Sequence, residues 1–133
     1  MNDADRSLLR ELRKVLLHLH KTLIDWQRAE YEMDHGPMGA TRLLQDILDD
    51  EAFAWLRPMS GLIVSIDEAL EAKPPDSPVV APLVGRAREL ASPAVGTPYS
   101  TRYHAALQEL PDAVLAHRAV STPLRLQNPQ ASA

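Results

Sequence analysis

The chain has no cysteine, so disulfides, thiolate metal sites and thiol nucleophiles are all excluded. Its five glycines, at positions 36, 39, 61, 85 and 96, form neither a G-x-G-x-x-G nor a P-loop, and no known phosphate cradle is present. No serine stands in a G-x-S-x-G elbow, and Ser60 before Gly61 reads as a helix start. Long uncharged apolar runs are missing, which argues against a membrane span. The polar start Met1-Asn2-Asp3-Ala4-Asp5-Arg6 is followed by no secretory signal pattern, so cytoplasmic residence is expected. No segment alternates like a strand, and no internal repeat occurs.

What is present is an ordinary globular composition. The 133 residues fit one domain, large enough to close a core without metal or disulfide, with 45% hydrophobic and 24% charged residues. Net charge is −4 but unevenly spread. Between Asp25 and Asp76 stand 12 acids and 4 bases, a local balance of −8, whereas the flanks carry 6 acids and 10 bases, or +4. An acidic middle repels nucleic acid, and basic ends are free to dock on it within one chain or between two. The bases Arg6, Arg10, Arg13 and Lys14 cluster locally, as on a solvated helix face.

Apolar spacing predicts helices throughout. Leu8, Leu12, Val15, Leu19, Leu23 and Trp26 form one stripe, and Leu9, Leu16, His20, Ile24 and Tyr31 run beside it, so a long helix from Asp3 to about Asp34 touches two or more neighbours. His35-Gly36-Pro37 ends it, with Gly36 as a left-handed cap. Thr41 is the expected N-cap of a second helix whose apolar face is Leu43, Leu44, Ile47 and Leu48, and Asp50 that of a short helix carrying Phe53, Trp55 and Leu56. Pro58 forces a new start, after which Met59, Leu62, Ile63, Ile66 and Leu70 recur at helical spacing, in a helix that should lie against the first. Lys73-Pro74-Pro75-Asp76-Ser77-Pro78 reads as a stiff connector. A further helix carries Val80, Leu83, Val84, Ala87 and Leu90, with Pro82 in its opening turn. The pattern from Tyr99 to Val120 is helical but bent or split at Pro111. The resulting expectation is an all-α bundle of four to five helices over residues 1–120, the last kinked or split, followed by an irregular or disordered tail over 121–133.

Candidate chemistry is sparse. Glu32 and His35, three apart on one helix face, are where a metal site would start, but a di-iron bundle needs that pair twice and no other histidine follows a glutamate at this spacing. A solvated helix end is the simpler reading of both. His18 and His20 point to nearly opposite sides of a helix and do not chelate together. His20 and His117 fall on apolar faces, where a hydrogen-bonded core histidine is commonest. Tyr31, Trp55, Arg57, Asp67 and Glu68 are the candidate ligand-binding residues. An arginine between an aromatic and a buried helix, and acids able to take a base from the first helix or the tail, serve structural bridging more often than ligand binding.

The motifs His35-Gly36-Pro37, Phe53-Ala54-Trp55-Leu56-Arg57-Pro58-Met59-Ser60, Ile66-Asp67-Glu68-Ala69-Leu70 and Pro111-Asp112-Ala113-Val114-Leu115-Ala116-His117 resemble those of a small bacterial all-helical family of unknown function. The resemblance spans most of the chain and implies one compact helical domain, with no named activity and no catalytic residue. The functional expectation is a non-enzymatic protein-interaction or scaffold module that self-associates, as a homodimer or with a protein partner, without cofactor, nucleic acid or membrane. The rival is a small-molecule or metal-binding bundle using Glu32, His35, Trp55, Arg57, Asp67 or Glu68 around an interhelical pocket.

Overall fold

The computed structural model describes residues 2–72 and 80–127, so the connector expected over residues 73–78 lies outside the described residues. Among the described residues the fold is all-α, with six α-helices, one 3₁₀ helix and no strand. The helices are α1 (Asp3–His35), α2 (Ala40–Asp49), the 3₁₀ helix (Glu51–Leu56), α3 (Arg57–Glu71), α4 (Val80–Ala91), α5 (Pro98–Glu109) and α6 (Pro111–Gln127). Against the four to five helices expected, the described residues form six α-helices. Leu110 takes extended backbone (φ −126°, ψ 108°), which separates α5 from α6 completely, and Pro111 then opens the second piece at the position where its missing N–H costs nothing.

Helix α1 is the axis of the molecule. At 33 residues it is about 50 Å long. Asn2 caps it through a capping box in which Asn2 Oδ1 accepts from Asp5 N–H (2.8 Å) and Asp5 Oδ2 accepts from Asn2 N–H (3.3 Å). Its buried side chains are Leu9, Leu12, Leu16, Leu19, Leu23 and Gln27, at intervals of three and four that draw one continuous stripe. Leu8, Val15, Ile24, Trp26 and Tyr31 flank this stripe, half-buried, and the width of that arc lets α1 touch α6 on one side and α3 on another. At the far end Gly36 adopts φ +80° and its N–H bonds Glu32 C=O at 2.8 Å. No atom lies within 4 Å of where a Cβ would stand, so backbone conformation, not space, is what requires glycine there.

Around this axis the short elements follow their local chemistry. Asp50 Oδ1 caps the 3₁₀ helix by accepting from Ala52 N–H (2.8 Å), and Pro58 falls in the first turn of α3. Helix α2 begins one residue before the Thr41 expected to cap it: Gly39 occupies the cap position with no side-chain bond, and Leu43 N–H reaches Gly39 C=O at 3.0 Å. Arginines tie distant segments together through backbone carbonyls. Arg6 Nη1 donates to Leu70 C=O at the end of α3 (3.1 Å), Arg28 Nη2 to Met38 C=O (2.6 Å), and Arg88 Nη2 to Leu124 C=O in α6 (2.9 Å).

The expectation of an irregular tail from residue 121 is corrected over its first seven residues, which continue α6 to Gln127 with Pro123 inside the helix. Proline there removes the donor for Ala119 C=O, at a cost on the order of 3 kcal/mol. Burial of Val120 and Leu124, together with the Arg88 bond to Leu124 C=O, offsets it. Local sequence reports the proline but not the neighbours that tolerate it. Residues 128–133 lie outside the described residues. No described helix is long and apolar enough to cross a membrane.

Candidate functional site

The second half of α1, the 3₁₀ helix and the start of α5 converge on most of the chain's aromatic side chains. Trp26, Gln27, Glu30 and Tyr31 recur on one side of α1 by their spacing of three to five. Helix α5 is fixed at its start by Thr97, whose Oγ1 accepts from Ser100 N–H (3.0 Å) while Ser100 Oγ accepts from Thr97 N–H (3.2 Å). That cap sets the direction in which Tyr99, Arg102 and Tyr103 leave the helix. Trp26 meets Trp55 edge to face at 6.1 Å, Trp55 meets Tyr99 at 6.0 Å, and Tyr99 stacks on Tyr103 at 5.5 Å. Burial pushes both tyrosine hydroxyls well above their ordinary pKa, so they stay protonated and donate, Tyr99 to Leu90 C=O at 2.7 Å.

Gln27 is the polar centre of this cluster, with 4% of its surface exposed. Its Oε1 accepts from Trp55 Nε1 at 2.8 Å and from Arg102 Nη2 at 2.9 Å. Both partners are obligate donors, which fixes which end of the amide is oxygen. Arg102 Nη2 also donates to Glu30 Oε2 (2.9 Å), and its guanidinium lies 4.3 Å from the centroid of Trp26. Trp26 Nε1 in turn donates to Glu109 Oε2 at 2.9 Å. Above Gln27 opens a cleft of about 570 Å³, walled by Trp55, Ala54, Ala52, Pro98 and Arg102, with Glu30 and Glu51 at its edge. A smaller hollow of about 260 Å³ adjoins it, sharing Gln27, Glu30 and Ala52 and reaching Tyr31, Asp34, His35 and Asp50.

The structure brings only part of the sequence-derived set together. Trp55 floors the cleft and Tyr31 lines the smaller hollow, where its ring stacks on His35 at 4.0 Å and its hydroxyl makes a long bond to Asp50 Oδ2 (3.4 Å). Arg57 is exposed and donates to Asp50 C=O (3.3 Å), bridging the two ends of the 3₁₀ helix. Asp67 pairs with Arg13 across α1 and α3, both about 40% exposed, and Arg13 precedes Gln27 by about 20 Å along the helix. Glu68 is exposed on α3 and lines neither hollow. Gln27 and Arg102 escaped the sequence reading, because a bond between residues 75 apart leaves no trace in local spacing.

Glu32 and His35 bond to different partners. Glu32 Oε1 accepts from Arg28 Nε (2.8 Å) and Met38 N–H (3.2 Å), which holds its carboxyl below the usual range, while His35 Nδ1 lies 3.1 Å from Tyr31 C=O. Among the described residues no three histidine, aspartate or glutamate side chains gather as metal ligands would. His20 Nε2 lies 2.7 Å from Ser60 Oγ of α3, and His117 Nδ1 lies 2.7 Å from the Tyr103 hydroxyl. Burial lowers the pKa of both imidazoles, with His104 adding repulsion at His117. Each histidine thus spans two helices as a neutral hydrogen-bonding group.

A second surface feature lies on α2. None of its residues is buried, and Leu44 and Leu48, one turn apart, are 65% and 72% exposed. Leu43 and Ile47 cover part of the core while this second pair faces out. No protein-family model matches the chain, and no curated protein or solved structure shows significant similarity to it.

Proposed function

We propose that the chain is a non-enzymatic interaction module that associates with a second copy of itself through α2. The observation that carries this reading is the outward face of that helix. Two leucines one turn apart and mostly exposed are costly to leave in water, at roughly 25 cal/mol per Å² of apolar surface, and an amphipathic helix with no buried residue has its natural complement on another molecule.

Charge favours a second copy as the occupant. The leucines of α2 are followed by the exposed acids Asp49 and Glu51, within the stretch that carries the local balance of −8. The first half of α1 offers the opposite surface, with exposed Leu17 near exposed Arg10 and Lys14 on successive turns. Apolar centre meets apolar centre, and acid meets base, when α2 of one copy lies on α1 of another. A two-fold arrangement makes this contact twice and closes the assembly.

Light scattering coupled to size exclusion tests it. The expected result is a dimer whose fraction grows with concentration, weakens at high salt and disappears in Leu48→Glu, which places a carboxylate in the apolar contact. A wild-type chain that stays strictly monomeric at high concentration and low salt overturns the proposal.

A further inference from the structure

The cleft above Gln27 has a chemistry of its own, independent of the α2 surface. Gln27 Oε1 is fully occupied by the Trp55 indole N–H and the Arg102 guanidinium. Its NH₂ group has no acceptor among the described residues, and Gln27, with 4% of its surface exposed, forms part of the lining of both hollows. That NH₂ keeps contact with solvent, so water reaches it in the free protein and an oxygen placed in the cleft takes that water's place.

The remaining walls say what kind of molecule carries that oxygen. The Arg102 charge is already met by Glu30 at 2.9 Å, so no free cation waits for an anion. Glu30 and Glu51 stand at the edge and repel a carboxylate or phosphate while accepting N–H donors. Trp55, Ala54 and Pro98 supply an apolar wall suited to a flat ring. We infer that the cleft binds an uncharged planar molecule bearing a primary carboxamide. Its carbonyl accepts from the Gln27 NH₂, its own NH₂ donates to Glu30 or Glu51, and its ring lies along Trp55. A volume of about 570 Å³ falls in the range of small-molecule pockets and leaves room for substituents beyond a single ring.

The probe is benzamide, with benzoate as its charged isostere, titrated into the ¹⁵N-labelled full chain and followed by NMR. Benzamide is expected to shift the Gln27 side-chain NH₂ and Trp55 indole N–H signals in a saturable manner, with benzoate at least tenfold weaker. Gln27→Glu keeps an acceptor for both Trp55 and Arg102 but loses the NH₂ donor, and is expected to weaken benzamide at least tenfold with its melting temperature retained. Ala54→Leu narrows the wall without touching Gln27 and is expected to block the probe as well. Benzamide that leaves both signals unmoved overturns the inference, as does benzoate binding equally well or Gln27→Glu folding normally and binding as before. These readouts do not involve oligomeric state, so failure here leaves the dimer proposal untouched, and the reverse holds.

Discussion

At the scale of the residue, two half-buried histidines make the protein sensitive to mild acid. His20 and His117 are both held neutral by burial, with folded pKa values below the ordinary 6.5. Between the folded and unfolded values the unfolded chain binds the extra proton and the folded chain refuses it. Stability is therefore full above about pH 6.5 and falls as pH drops toward the folded values. The melting temperature is expected to decline from about pH 6.5 toward about pH 5.5, above the range where carboxylates titrate. In His20→Gln, which keeps a hydrogen-bonding partner for Ser60, that decline should shrink, and in the double variant with His117→Gln it should nearly vanish. An unchanged slope in the double variant would place the pH dependence elsewhere. The sequence reading of both residues as hydrogen-bonded members of an apolar face agrees with their bonds to Ser60 and Tyr103.

At the scale of the element, the helices that the sequence makes plain are those whose apolar residues repeat over several turns. The α1 stripe and the Met59 to Leu70 repeat of α3 are of this kind, and the break before Pro111 follows from the ring of a single residue. Where a short helix is held by neighbours, spacing misleads: half of the apolar face drawn on α2 turns outward, and the tail beyond Ser121 stays helical through contacts with α4. Helix α2 also packs chiefly on the 3₁₀ helix, whose start rests on Asp50. Asp50→Ala removes the cap on Ala52 N–H and the long bond from Tyr31, and is expected to cost about 1 kcal/mol, seen as a melting temperature lower by about 4 °C. Hydrogen exchange should show the loss of protection concentrated in residues 40–56, and a uniform loss across α1 would contradict this placement.

At the scale of the whole molecule, α1 gives the fold its order and also the geometry of the cleft. One face of a single helix carries the leucines of the core and, four residues beyond Leu23, the glutamine that receives Trp55 and Arg102. The class of fold was legible because a 3.6-residue period is a local property of the chain. The cleft was legible only at Trp55, whose size drew attention, since the residues that complete it come from α5 and meet α1 solely through the fold. Asp67 stands apart from Trp55 and pairs with Arg13 on another stretch of α1, the bridge to a base of the first helix that the sequence reading gave it.

The bond from Arg6 to Leu70 C=O joins two ends that would each fray alone, the first turn of α1 and the last turn of α3. Linked by a charge-assisted bond, those two turns open as one event, so their amides should exchange with deuterium at a common rate although they are 64 residues apart. Arg6→Ala should let the two rates drift apart while the exchange of Leu16 to Leu23 stays as it was.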